Sequence, residues 1–206
     1  VLLLEGLTIP ALVGIILGML AGITAHEFSH ALAADVLGDH QPRALGRVSL
    51  NPLRHLDPFG TLLLVLVGIG WGKPVPVRVE ALRPGRTGMA LVAASGPVAN
   101  VVVALLLAGS YRIVEFAGLG GTDALDALYL AVAINLLLAI LNLIPIPPLD
   151  GFSVVISLLP PRWEYAIRPW ARYGVVLLII LLLIPSRPLS ALLGLAYPWA
   201  AALCGL

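Results

Sequence analysis

The chain has 206 residues, of which 60% are hydrophobic and only 11% charged, and its mean hydropathy is +1.02. Soluble domains carry about 25% charged residues, so the composition excludes an ordinary soluble enzyme and points to an integral membrane protein. A formal net charge of +1 offers no electrostatic ground for nucleic-acid binding, and the single cysteine, Cys204, excludes an intrachain disulfide and a cysteine-based metal site. The expected fold class is an all-α polytopic membrane protein, with about five to six transmembrane or half-crossing helices and a small re-entrant β element.

The first apolar run predicts a helix over 7–37, long enough to span with tilt. It is too long for a signal peptide and lacks a basic leader. Gly14, Gly18 and Gly22 recur every four residues and form a small-residue stripe suited to close helix packing. The only ionisable side chains between Gly6 and Ala34 are those of His26-Glu27-Phe28-Ser29-His30. On a helix, His26 and His30 lie one turn apart on one face, about 6 Å between Cβ atoms, so both imidazoles can reach one metal ion. Glu27 stands beside them, placed to act on a water at that ion. A carboxylate deep in a bilayer costs about 3 kcal/mol or more, which argues for a function. The bland alternative is a buried polar cluster bonding neighbouring helices.

Residues 38–57 are polar by comparison, and Leu45 to Leu50 could form a short strand. Asn51-Pro52 and Asp57-Pro58 are turn or helix-start signals. His55 and Asp57 are rival metal ligands, or else solvated and capping groups of a wet loop. Residues 58–70 are apolar but span only about 20 Å as helix, short for a hydrocarbon core of about 30 Å, and predict a re-entrant or half-crossing helix. Val75, Val77 and Val79 then alternate with Pro76, Arg78 and Glu80, which predicts a strand confined to an edge by Pro74 and Pro76.

Residues 87–117 predict a second span, interrupted by Ser95-Gly96-Pro97, with Asn100 as interhelical glue or as an active-site group. Residues 127–145 predict a third, carrying Asn135 and Asn142. The prolines of Pro145-Ile146-Pro147-Pro148 end it. Asp150 is then a lone carboxylate between apolar segments, and it caps a helix over 151–159, ligates a metal, or both. Two histidines need one more protein ligand to make a three-ligand zinc site, and Asp150 is the best-buried acid available. Residues 160–172 are expected to be a basic, aromatic interfacial loop (Arg162, Trp163, Tyr165, Arg168, Trp170, Arg172). Two apolar segments, 173–184 and 188–204, follow without chemistry, and Cys204 is expected against lipid or packed.

Arginine and lysine concentrate in 38–86 and 160–172 and are missing from 118–126. The positive-inside rule makes the two former regions cytoplasmic, which brings the His26–His30 end and Asp150 to similar depth near that face.

Taken together, His26-Glu27-Phe28-Ser29-His30, Ser95-Gly96-Pro97-Val98-Ala99-Asn100 and Asn142-Leu143-Ile144-Pro145-Ile146-Pro147-Pro148-Leu149-Asp150-Gly151 resemble the site-2 protease family of intramembrane zinc metalloproteases. The resemblance covers roughly residues 7–155 of a single membrane domain, 1–206, leaving 160–206 as C-terminal helices. It implies that His26, His30 and Asp150 bind Zn2+, that Glu27 is the catalytic base, and that Asn142 lies near the substrate or the zinc-bound water. Asn142 or Asn100 could donate a hydrogen bond to the substrate carbonyl. The implied partners are a single-span transmembrane substrate and the lipid bilayer, in a prokaryotic cell membrane. The expectation is a minimal form, without a PDZ domain between the core helices or a C-terminal CBS pair. The proline-edged strand could receive an unwound substrate segment by strand addition. Two other classes remain open: a catalytically silent scaffold binding single-span partners, and a metal transporter.

Overall fold

The computed structural model describes residues 8–57, 72–83, 85–183 and 187–206. Helix α1 runs over Ile9–Val36. The Thr8 hydroxyl accepts a hydrogen bond from the Ala11 amide, and Pro10 sits in the first turn, where its missing N–H leaves no bond unmade. Gly38, at φ 116°, turns the chain out of the helix into the short helix α2, Gln41–Ala44. After a 3-10 turn at Pro52–Arg54, capped by Asn51, and another at Val79–Ala81, two long helices follow: α3, Arg86–Phe116, and α4, Thr122–Asn142.

These three long helices pack mutually, and each is long and apolar enough to cross a membrane. Their outward faces expose Ile16, Leu17, Val98, Leu106 and Ile113, each at least 59% accessible, which in water would be an unpaid apolar surface and in a bilayer meets lipid. The chain is an integral membrane protein. The predicted glycine stripe faces α4: a Cβ on Gly14 would lie 2.2 Å from the Ala127 carbonyl oxygen, and one on Gly18 would lie 2.7 Å from the Ala131 Cα. Lipid tails are as apolar as leucine, so helix contact here relies on close backbone approach, which these glycines permit. Gly14→Ala should therefore overpack the α1–α4 contact and cost about 1–3 kcal/mol. Thermal unfolding in detergent checks this, and an unchanged midpoint would count against the contact.

Pro97 does not interrupt α3, which continues through it, although the proline cannot donate to the Ala93 carbonyl. Helix α4 starts at Thr122, five residues before the expected span, and ends at Asn142 as the proline-rich turn begins. Helix α5, Asp150–Leu158, rests on α3. Gly151 lets it fold back on the end of α4, since a Cβ there would sit 2.2 Å from the Leu143 carbonyl oxygen.

The expected interfacial loop at 160–172 is instead a helix, α6, Pro161–Ala171. Pro161 opens it with a preset φ, and Trp163 and Tyr165 stand exposed on it, as an interfacial anchor requires. Arg86 ties this region to α3: its Nη2 donates to the Ile156 and Leu159 carbonyls, and its Nη1 lies 2.9 Å from a Glu164 carboxylate oxygen. Helices α7, Gly174–Leu183, and α8, Arg187–Cys204, match the two predicted C-terminal segments. Of the two environments open to Cys204, packing is observed: it is buried with Tyr111, Val132, Leu136 and Ala200 where α8 meets α3 and α4.

Neither predicted strand forms among the described residues. Leu45–Leu50 is a turn and irregular chain, and residues 73–78 have no regular structure. Alternation supplies a two-faced pattern, but a strand also needs a hydrogen-bonded neighbour, and among the described residues the only pairing is the isolated antiparallel bridge of Leu56 with Gly72. The segment is held by a different device. The buried Asp39 carboxylate accepts from the Arg78 amide (2.7 Å), the Arg78 guanidinium (3.0 Å) and the Gln41 amide (3.2 Å), while the Arg83 amide donates to the Leu37 carbonyl. Burial disfavours the charge of Asp39, but the hydrogen bonds from Arg78 outweigh it and hold the carboxyl below its ordinary range. The predicted half-crossing helix at 58–70 lies outside the described residues.

Candidate metal centre

Helical spacing puts His26 and His30 on one face of α1, and packing turns that face toward α3 and the start of α5. The two rings meet edge to face with centroids 4.6 Å apart. Asp150, the first residue of α5, points its carboxylate at both: its Oδ2 lies 2.9 Å from His26 Nε2 and 3.2 Å from His30 Nε2. The N-cap of α5 is Leu149, and Asp150, one position on, faces the two histidines. One ligand atom from each of the three residues falls within 4.8 Å of the others.

The far side of each imidazole fixes its chemistry. His26 Nδ1 lies 2.7 Å from Asn100 Oδ1, and His30 Nδ1 lies 2.7 Å from the Val92 carbonyl oxygen. Both partners only accept, so each Nδ1 carries a proton, and in the neutral ring each Nε2 then presents a lone pair. Two lone pairs and a carboxylate oxygen therefore converge. Asp150 Oδ2 is buried and accepts no hydrogen bond. Three acceptors at this distance repel unless a cation or a proton lies among them.

The donor set fits zinc. Ligand atoms about 2.0–2.2 Å from a tetrahedral Zn2+ lie roughly 3.3–3.6 Å apart, and the carboxylate here stands slightly inside that spacing, at 2.9 and 3.2 Å from the two imidazole nitrogens. The space itself is kept open by Gly96 on α3. A Cβ there would stand 2.5 Å from His30 Nε2 and 2.6 Å from His26 Nε2. Glu27 lies beside the cluster and facing the bridge residue Gly72, whose Cβ position would be 3.2 Å from Glu27 Oε1.

Of the rival ligands, neither His55 nor Asp57 joins the cluster. His55 is not on a wet loop: it is fully buried, and its Nε2 donates to the Ser49 carbonyl at 2.6 Å. Asn100 is also fully buried. Its Oδ1 faces His26, and its Nδ2 donates to the Gly22 carbonyl and to Asn135 Oδ1. Its hydrogen-bond partners here all lie within the bundle, His26 among them. Asn142 donates from Nδ2 to the Leu138 carbonyl of its own helix. No pattern in the sequence marks Ser29 and Ser95, yet they join the two helices beside the histidines. The Ser29 hydroxyl is 2.9 Å from the Ser95 carbonyl oxygen, and the Ser95 hydroxyl donates to the Val92 carbonyl that also receives His30.

Known proteins give the arrangement its family. The profile of peptidase family M50 matches residues 107–183, which include Asp150 but not the His26–His30 helix. A Bacillus subtilis protein, "Putative zinc metalloprotease YwhC", is 33% identical over 178 residues, covering 83% of this chain and 80% of that protein. The chain belongs to peptidase family M50, the site-2 protease family. "Putative zinc metalloprotease Rip2" of Mycolicibacterium smegmatis is 31% identical over 185 residues, covering 84% of this chain and 67% of that protein. Its namesake from Mycobacterium tuberculosis H37Rv is 32% identical over 178 residues. No solved structure matches the chain. As a member of family M50 the chain is a metalloendopeptidase, and zinc is the cofactor expected at this donor set.

Proposed function

We propose that this M50 peptidase hydrolyses peptide bonds of transmembrane protein substrates in or beside the bilayer, with His26, His30 and Asp150 as zinc ligands and Glu27 as the base. The observation that carries the reading is the convergence of two imidazole lone pairs and one unpartnered carboxylate oxygen within 4.8 Å, around a space held open by Gly96. Bound zinc supplies a Lewis acid that polarises a carbonyl and lowers the pKa of water towards about 7. Glu27 accepts the proton of the attacking water on a carboxylate oxygen and delivers it to the departing amide nitrogen. The Nδ1–H donors of His26 and His30 hold both rings in the ligating tautomer. Asn142 Nδ2 is proposed to leave Leu138 and donate to the substrate carbonyl.

A substrate helix keeps its carbonyls in internal hydrogen bonds, so it must unwind locally before attack. The charge distribution supports a site nearer the cytoplasmic face. A single-span substrate is proposed because one helix can approach the bundle from lipid without disturbing a fold of its own.

Metal removal tests the reading. Protein in liposomes with a panel of single-span substrates should contain about one zinc per chain, lose cleavage when a chelator strips the metal, and recover it on zinc addition. Cleavage that survives complete stripping would sink the metal assignment. Zinc retention with no cleavage of any substrate would favour the silent scaffold, and zinc flux into liposomes the transporter.

A further inference from the structure

Asn135 sits on α4, makes no hydrogen bond to any of the three ligands, and is fully buried. We propose that it is a positioning residue for the metal centre, setting the tautomer of His26 through Asn100. This rests on the zinc-site reading above and extends it to a helix that contributes no ligand.

The direction of each hydrogen bond fixes the relay. Asn135 Nδ2 donates to the Gly18 carbonyl and to the Ala131 carbonyl, both at 2.9 Å. Both of its donors are used, so only Oδ1 is left to face Asn100. An amide oxygen only accepts, and Asn100 must therefore present its Nδ2, at 3.3 Å. The second hydrogen on that nitrogen goes to the Gly22 carbonyl at 3.2 Å. Asn100 Oδ1 is thereby aimed at His26 Nδ1, 2.7 Å away. His26 then holds its proton on Nδ1 and its lone pair on Nε2, toward the metal position. With Asn100 reversed, its NH2 would face His26 Nδ1, the ring proton would move to Nε2, and that nitrogen could not ligate. Asn135 and Gly22 are the two groups that oppose this reversal.

Three spans meet in this relay: α1 through Gly18, Gly22 and His26, α3 through Asn100, and α4 through Asn135. The relay fits between the helices because Gly22 has no side chain, since a Cβ there would be 2.5 Å from Asn135 Oδ1 and 3.1 Å from Asn100 Nδ2. A pair of asparagines serving only as interhelical glue would affect stability without a specific effect on metal affinity.

The test measures zinc affinity of metal-free protein in detergent by competition with a chromophoric chelator, alongside thermal unfolding. Outer partners of metal ligands typically contribute 10–100-fold in affinity, so Asn100→Leu should weaken zinc binding by about that factor and Asn135→Leu by about 10-fold. The deciding variant is the double one. If Asn135 acts through Asn100, the double variant binds zinc no more weakly than Asn100→Leu alone. A loss that repeats in full in the Asn100→Leu background would overturn the proposal, as would zinc binding by Asn135→Leu within about twofold of wild type. Should Asn135→Leu fail to fold, Gly22→Ala displaces both amides without deleting either. It should weaken zinc more than Gly14→Ala, which crowds the same helix pair away from the relay, and equal losses would again overturn the idea. Failure of the wild type to bind zinc would instead overturn the site reading itself.

Discussion

Glu27→Gln should abolish peptide-bond cleavage while leaving zinc in place. The glutamine amide matches the carboxylate in size, so its place beside Gly72 is kept. What is lost is a group able to take a proton and return it. General base catalysis contributes about 10²–10⁴-fold, so cleavage should fall by that order, equivalent to roughly 3–5 kcal/mol of barrier. The ligand atoms of His26, His30 and Asp150 are untouched, so bound zinc should stay near one per chain. Single-turnover cleavage and metal content, measured on the same preparation, check both halves. Cleavage within about tenfold of wild type would remove Glu27 from the proton-transfer role.

Gly96→Ala should empty the metal centre. The new methyl carbon would lie 2.5 Å from His30 Nε2 and 2.6 Å from His26 Nε2, nearly an ångström inside ordinary contact. The rings cannot simply swing away, because each is tied at Nδ1 to α3, through Asn100 Oδ1 and the Val92 carbonyl. Either the rings break those bonds or α1 and α3 separate, and both spoil the ligand geometry. Zinc affinity should drop by more than about 100-fold, beyond the usual effect of an outer partner. Gly109→Ala in the same helix, with nothing within 4 Å of the added carbon, is the control and should bind zinc normally. If alanine at 96 binds zinc as tightly as glycine, the cation does not occupy that space.

These two predictions draw on different levels of the molecule. Glu27 is legible in the sequence because its relation to His26 and His30 is local: helical spacing alone puts the histidines on one face and the acid beside them. The same holds for the glycine stripe, whose period matches the helix and whose packing role the α1–α4 contact displays. The three long spans were legible for an equally local reason, since length and hydropathy belong to a segment rather than to a fold. Asp150 was reached less directly, as a lone acid between apolar segments, and its approach to both histidines depends on α5 folding back at Gly151.

Other features depended on partners that no local pattern names. The strand expected near 75–79 had the right alternation, but a strand exists only with a neighbour, and the chain here is clamped instead by Asp39 and Arg78. The 160–172 segment forms a helix opened by Pro161, where composition alone suggested a loop.

By itself, then, the sequence determined the three spans, the His26–Glu27–His30 face and the glycine stripe, all set by spacing along one helix. Only the tertiary structure decided that Gly96 lies against both imidazoles, that Asn100 bonds His26, and that Asn135 bonds Asn100. Those roles arise where side chains of different helices meet, and the crossing of helices is fixed by packing rather than by the period of any one of them.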